Sequence, residues 1–82
     1  MSFEGNRIVV IIPALNEEKS ISKVVNSIPN IVDEIIVINN GSDDSTAIKA
    51  SISGAKVIHE YRKGYGYACL KGIDYLNKNP PD

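Results

Sequence analysis

The hydrophobic positions of this chain repeat one pattern three times: a continuous apolar run, a polar loop, and then apolar residues at helical spacing. The runs cover residues 8–12, 35–38 and 55–59. A β-branched run without polar alternation is typical of a strand that is buried on both faces of a parallel sheet. The third run alternates between apolar and polar residues, which predicts an edge strand.

The first helical segment has a start signal and a stop signal. Asn16 is placed to cap a helix whose first turn carries Glu17 and Glu18 at the positive end of the helix dipole. Pro29 ends this helix, because the residue before a proline is steered away from helical angles. Apolar residues at i, i+3, i+4 and i+7 predict one buried stripe, which consists of Ile21, Val24, Val25 and Ile28.

Two further helices follow the other apolar runs. The second is predicted over 44–53, with Ile48 and Ile52 four residues apart. A loop over 62–66 precedes the third helix, which ends before Pro80. The predicted inner face of this third helix consists of Cys69, Leu70, Ile73 and Leu76.

Three strand-helix units in series predict an α/β fold. Its strands are parallel and joined by right-handed crossovers, and its helices cover the faces of the sheet in three layers. With 82 residues, the chain forms a single domain over 1–82. The sequence Pro80-Pro81-Asp82 would normally introduce another strand, so we expect a domain that is cut short.

Charge and composition exclude several classes of protein. Nine basic and ten acidic side chains give a net charge of -1, which argues against binding to nucleic acid or a membrane surface. The single cysteine, Cys69, cannot form an internal disulfide, and the N-terminus has neither the basic start nor the long apolar core of a signal peptide. No apolar run approaches the roughly 20 residues that span a bilayer. We therefore expect a cytoplasmic protein, with any membrane contact supplied by missing sequence or a lipid-linked substrate.

The three loops that follow the strands, over 13–17, 39–44 and 61–66, are expected at the same edge of the sheet. Open parallel sheets bind their ligands at this edge. Together the loops supply hydrogen-bond acceptors, two cations and glycines that let backbone amides approach an anion, and a nucleotide uses all three. Taken singly, each residue is explained equally well by helix capping, a turn or a solvated charge.

The order of three motifs favours the nucleotide. These are VIIPALNEE (residues 10–18), VINNGSDDST (37–46) and RKGYGYA (62–68). With them the chain resembles the inverting glycosyltransferases of family 2, which have the GT-A fold. The third motif is most similar to transferases that load sugars onto dolichyl or other polyprenyl phosphates. The resemblance implies the N-terminal half of a GT-A fold, a Rossmann-like parallel sheet with strand order 3-2-1.

The resemblance also implies a nucleotide site. Asn39 occupies the position where the family usually has an aspartate that holds the base; its amide oxygen still accepts a hydrogen bond, but the negative charge is absent. Arg62 and Lys63 follow the third strand, where their charge assists a diphosphate. The full set of predicted nucleotide-binding residues is Pro13, Ala14, Glu17, Asn39, Gly41, Arg62, Lys63 and Gly64.

Two parts of the family's machinery are not found in these residues. The family carries an Asp-x-Asp motif that holds a divalent metal, and a later carboxylate that acts as the base. Asp43-Asp44 is not a substitute, because it lies at a helix start after the second strand. We therefore predict no catalytic residue and no metal ligand in this chain, and Mg²⁺ or Mn²⁺ only in the complete enzyme.

Two functions follow as hypotheses. The first is the front part of a transferase that moves a hexose from a UDP- or GDP-sugar to an acceptor such as a polyprenyl phosphate. The second is a non-catalytic module that binds a nucleotide or assembles with itself. The family pairs a fourth strand with the first, so we expect the run over 8–12 to be an open edge here. Such an edge predicts a homo-oligomer.

The remaining candidate residues carry weaker signals. Gly64-x-Gly66 lacks the third glycine of a dinucleotide fingerprint. His59 stands alone, and a lone histidine is more often structural than catalytic. The four tyrosines suggest stacking on a base or sugar, but we expect Tyr75 to cover a helix surface, and Tyr65 and Tyr67 to brace the glycine loop.

Overall fold

The computed structural model describes residues 7–78, so the predicted polar lead-in over 1–6 and the Pro80-Pro81-Asp82 segment lie outside the described residues. Strands and helices alternate along the chain, and this confirms the three predicted strand-helix units. The elements are β1 (Val9–Ala14), α1 (Ile21–Asn26), β2 (Glu34–Asn39), α2 (Thr46–Ile52), β3 (Lys56–His59) and α3 (Tyr65–Lys78).

The three strands form one parallel sheet with β2 in the centre. The predicted strand order and the edge position of β3 are therefore confirmed. The register pairs Ala14 of β1 with Asn39 of β2, and Asn39 with His59 of β3. Because these paired residues are the last of their strands, the three following loops begin side by side at one edge of the sheet.

Alternate residues of β2 point to opposite faces of the sheet, as the pleat of a strand requires. Ile36 and Ile38 are fully buried and pack with Ala68 of α3. Val37 is equally buried but packs on the other face, in a cluster with residues of α1 and α2: Ile21, Val25 and Ala50. Helices therefore cover both faces, and the predicted three-layer α/β fold is confirmed.

The start of α1 differs from the prediction. Asn16 does not cap this helix; its backbone is left-handed, with φ 53°, and α1 begins only at Ile21. The reason is that the intervening residues form a tight turn in which the Glu17 carbonyl accepts from the Ser20 and Ile21 amides. The buried residues of α1 are Ile21 and Val25, whereas Val24, which the predicted stripe included, is 40% exposed.

The inner face of α2 is formed by its small residues. Ile48 is 64% exposed and Ile52 is 80% exposed, whereas Thr46 and Ala50 are fully buried. These two buried residues are four apart, as the helical period requires. The Thr46 hydroxyl accepts from the Glu17 amide, which ties this side of the helix to the loop after β1.

Small residues bring α3 close to the sheet. Leu70 and Ile73 were predicted to face inward but are more than half exposed, and the buried residues of α3 are Ala68 and Gly72. A Cβ added at Gly72 would lie 2.6 Å from the Cγ2 of Ile11. The helix therefore packs so closely against β1 that a side chain does not fit at position 72. No helix within residues 7–78 is long and apolar enough to cross a membrane.

Candidate functional site

The loops after β1 and β2 are tied together by reciprocal hydrogen bonds. The Asn16 amide donates to the Ser42 hydroxyl at 2.9 Å, and the Asp43 amide donates to the Asn16 side-chain oxygen at 2.9 Å. A third bond runs from the Glu17 amide to the Thr46 hydroxyl at 2.8 Å. The left-handed backbone of Asn16 is what aligns these groups, and asparagine tolerates that conformation better than most residues.

Asp44 completes this junction as a loop-stabilising residue. One carboxylate oxygen accepts from the Thr46 amide and hydroxyl, and the other accepts from the Glu18 amide at 3.3 Å. Glu18 in turn accepts from the Ser45 amide. These bonds, above all that from the Thr46 hydroxyl, lower the pKa of Asp44. Asp44 therefore has the helix-starting role that the sequence predicted.

Asn40 joins the loop after β2 to the loop after β3, and sequence reasoning missed it. Its side-chain nitrogen donates to the carbonyls of Glu60 at 3.1 Å and Arg62 at 2.8 Å. Its side-chain oxygen accepts from the Gly64 amide at 3.3 Å. Asn40 is buried. The one available signal was a pair of asparagines directly after a buried strand, and that signal does not say which of the two holds the loop.

Asn39, the last residue of β2, is buried. Its side-chain oxygen accepts from the Ser42 amide at 3.2 Å, and its side-chain nitrogen lies 3.3 Å from the Nδ1 of His59. Both ends of the amide thus have partners within the protein. His59, which the sequence left as a lone structural histidine, is linked to the end of β2 by this contact.

Glu60 and Arg62 form a two-pronged ion pair. The Arg62 Nη2 lies 2.7 Å from the Oε1 of Glu60, and the Nε lies 3.2 Å from its Oε2. The Arg62 amide also donates to this carboxylate at 2.9 Å, and the guanidinium lies over the Tyr67 ring, 4.5 Å from its centroid. The Arg62 hydrogen bonds lower the pKa of Glu60 to about 2. The charge of Arg62 is therefore directed at Glu60.

This ion pair predicts a specific dependence of stability on pH. Because the pKa of Glu60 falls from 4.5 to about 2 on folding, its stabilising contribution is present at neutral pH and is lost as the pH falls from about 4.5 to about 2. We expect Glu60→Gln to lower the urea midpoint at neutral pH. Below about pH 4.5, the urea midpoint of this variant should decrease less with falling pH than that of the parent chain. Asp74→Asn, which breaks the exposed Asp74–Lys78 pair, is the control. If the urea midpoint of Glu60→Gln fell between about pH 4.5 and about pH 2 as steeply as that of the parent chain, the stabilising role of the ion pair would be contradicted.

Two adjoining clefts lie over the carboxyl ends of the strands. The first, about 410 Å³ in volume, is lined by Pro13, Ala14, Leu15, Glu17, Asn40, Gly64, Tyr65 and Ala68. The second, about 280 Å³, is lined by Leu15, Asn16, Asn40, Gly41, Asp43, Tyr61, Lys63 and Gly64. Leu15, Asn40 and Gly64 belong to both, so the two form one continuous depression.

The depression brings together six of the eight residues predicted to bind a nucleotide. Pro13, Ala14 and Glu17 line the first cleft, Gly41 and Lys63 the second, and Gly64 both. Asn39 and Arg62 line neither cleft, because one is buried at the strand end and the other is turned to Glu60. The structure adds lining residues that the sequence did not single out for this site, chiefly Leu15 and Asn40.

The described residues do not fit a divalent metal site. Residues 7–78 contain no group of three or more His, Cys, Asp or Glu side chains that could hold a metal ion. Both carboxylate oxygens of Asp44 already accept hydrogen bonds from the loop, and Mg²⁺ and Mn²⁺ require several oxygen ligands. These residues therefore supply no step that depends on a metal.

Known proteins are similar to this chain in sequence. Glucosyl-3-phosphoglycerate synthase of Mycobacterium tuberculosis is 48% identical over 58 residues, which are 66% of this chain and 18% of the synthase. An uncharacterized glycosyltransferase of Mycobacterium bovis is 42% identical over 69 residues, which are 84% of this chain and 31% of that protein.

Solved structures extend the likeness to three dimensions. The Mycobacterium tuberculosis synthase in complex with Mn²⁺, UDP-glucose and glycerol 3-phosphate matches with a TM-score of 0.79 and 38% identity. This match covers 88% of this chain and 30% of that chain, so the chain spans less than a third of the relatives it matches. The GT-A fold is thereby confirmed. The family model described as Glycosyl transferase family 2 matches residues 9–79, and the chain belongs to that family.

Proposed function

We propose that this chain forms the nucleotide-binding part of a glycosyltransferase that uses a nucleotide sugar. The observation that carries the proposal is the depression over the strand ends, where three loops from separate strands converge and place six predicted residues together. The matched synthase has been solved with UDP-glucose, which favours a UDP-sugar over a GDP-sugar as donor.

Within the depression, Lys63 is our candidate for the contact to the diphosphate. It lines the second cleft, and within the described residues no ion pair engages its ammonium group, whereas Arg62 is held by Glu60. Gly41, with φ 78°, has open space where a side chain would be, so a phosphate can approach its backbone. Pro13, Ala14 and Leu15 provide apolar surface in the first cleft.

The reaction proposed for the whole enzyme is the transfer of a hexose to an acceptor hydroxyl or phosphate oxygen. The bond from the sugar to the nucleotide diphosphate breaks as the bond to the acceptor oxygen forms, and the nucleoside diphosphate leaves. The third sequence motif favours a polyprenyl phosphate as acceptor, while the matched relatives are named for 3-phosphoglycerate. A divalent metal, Mn²⁺ or Mg²⁺, would be held by residues outside 7–78 and would supply charge neutralisation of the leaving diphosphate.

Calorimetric titration of the chain with UDP and GDP tests the proposal. We expect UDP to bind, and Lys63→Ala to weaken binding by roughly tenfold, as the loss of one charge-assisted contact implies. Lys49→Ala is the matched control, because Lys49 is exposed on α2 and lines neither cleft. If neither UDP nor GDP bound at millimolar concentration, the assignment of the depression as a nucleotide site would be refuted.

A self-assembling module is the second candidate, and the sheet edge favours it. The carbonyls of Ile8 and Ala14 accept from the amides of Asp33 and Asn40, so alternate residues of β1 face β2. Val9 and Ile11, which lie between them, therefore direct their backbone groups to the open edge. We propose that a second copy pairs with this edge. Light scattering should then show a dimer or larger oligomer; a monomer at high concentration would contradict it.

A further inference from the structure

We propose that Tyr61 is the platform on which the base of the nucleotide stacks, an inference that rests on the proposed function and extends it to a specific residue. Tyr61 lines the second cleft with Leu15 and Lys63, and its side chain is 80% exposed. An aromatic ring of this exposure is not part of the hydrophobic core. Its surroundings indicate a built site rather than a chance position.

The backbone on both sides of Tyr61 is clamped. The side-chain nitrogen of Asn40 donates to the carbonyls of Glu60 and Arg62, the two residues that flank Tyr61. The side chains of the same two residues form the ion pair at 2.7 Å. The Cα of Tyr61 is thus fixed by one buried asparagine and one ion pair. Binding on its ring consequently does not require the loop to become ordered first.

One face of the Tyr61 ring packs against a neighbouring side chain. Tyr61 stacks on the His59 imidazole, with ring centroids 6.0 Å apart and planes 14° from parallel. His59 is in turn placed by the Asn39 side-chain nitrogen, 3.3 Å from its Nδ1. This near-parallel offset arrangement is favourable for aromatic pairs. It leaves the other face of the Tyr61 ring available to a flat partner.

The chemistry of the cleft selects a nucleobase as that partner. Lys63, two residues from Tyr61, places a cation in the same cleft, and a nucleotide presents an anion and a flat heteroaromatic ring at its two ends.

The other three tyrosines make different contacts. Tyr67 lies under the Arg62 guanidinium, Tyr75 hydrogen-bonds to Glu34, and Tyr65 begins α3 beside the first cleft. Tyr61 alone among the four tyrosines has a ring stacked on another ring within residues 7–78.

Binding of UDP and of inorganic pyrophosphate to matched variants tests the platform. We expect Tyr61→Ala to weaken UDP binding by roughly 5- to 100-fold, the range found when a base loses an aromatic partner, and Tyr61→Phe to retain it. The affinity for pyrophosphate, which has no base, should be unchanged in Tyr61→Ala and reduced in Lys63→Ala. The uracil proton resonances should move upfield on binding to the parent chain and to Tyr61→Phe, because of the ring current.

The outcomes separate this inference from the proposed function. If UDP binds Tyr61→Ala as tightly as the parent chain and with the same uracil shifts, the platform is wrong while the nucleotide site stands. If the parent chain binds neither UDP nor pyrophosphate, both proposals fail. A fall in pyrophosphate affinity in Tyr61→Ala would indicate a distorted loop and would also overturn the platform. Circular dichroism of each variant confirms that it is folded before titration.

Discussion

Replacing Asn40 by alanine is expected to lower the free energy of unfolding by about 2–4 kcal/mol, the largest loss that we predict for a single side chain. The physical reason is that three hydrogen bonds disappear together: those to the carbonyls of Glu60 and Arg62, and that from the Gly64 amide. Asn40 is buried, so water replaces these partners poorly. Urea unfolding followed by circular dichroism measures the loss.

The adjacent Asn39 provides a matched control, because it is buried but holds a different loop. Asn39→Ala removes the bond from the Ser42 amide and the contact with His59, and should cost about 1–2 kcal/mol. Amide hydrogen exchange distinguishes the two variants. Gly64 should exchange faster in Asn40→Ala and Ser42 faster in Asn39→Ala. If Gly64 keeps its protection in Asn40→Ala, the role assigned to Asn40 is incorrect.

Replacing Gly72 by alanine is the second change with a large expected effect. The added Cβ would lie 2.6 Å from the Cγ2 of Ile11, closer than two carbon atoms can approach. Overpacking of this kind costs about 1–3 kcal/mol, which exceeds the helix-propensity gain of up to about 1 kcal/mol from glycine to alanine. We expect a net loss of up to about 2 kcal/mol and a fall in Tm of up to roughly 16 °C. Thermal unfolding measures both.

Gly66 supplies the internal control, since it lies in the same helix with nothing within 4 Å of an added Cβ. Gly66→Ala should therefore stabilise the chain by roughly 0.5–1 kcal/mol. A double variant, Ile11→Ala with Gly72→Ala, should lose less stability than the sum of the two single changes, because removing the Ile11 side chain relieves the overlap. Additive losses would show that the two residues do not meet.

The sequence predicted the fold better than it predicted helix faces. Strand runs were identified correctly because β-branched residues such as Ile36 and Ile38 are buried on a parallel sheet whatever the details of the neighbouring helices. The predicted inner face of α3 was wrong at Leu70 and Ile73, which are exposed. In a short chain the closest helix-sheet contacts are made by the smallest residues, and hydrophobicity alone does not identify a buried Gly72.

The same contrast holds for the candidate site. Pro13, Ala14 and Gly64 line the depression, because motif position at the end of a strand fixes where a loop begins. Arg62 and Asn39 were assigned to the nucleotide from the family resemblance, but neither lines a cleft. For Arg62 the reason is Glu60, a carboxylate two residues away that holds the guanidinium in an ion pair.

By itself, the amino-acid sequence determined the parallel α/β fold, the family and the edge of the sheet where the site lies. Each of these depends on periodicity and motif order, which are properties of the chain read locally. Only the tertiary structure decided which of two adjacent asparagines clamps the third loop, which cation faces the cleft and which tyrosine presents an open ring. Those choices depend on the directions that side chains take in the folded chain, both across long sequence distances, as from Asn40 to Arg62, and over two residues, as from Arg62 to Glu60 and from Tyr61 to His59. No pattern of apolar and polar positions encodes these directions.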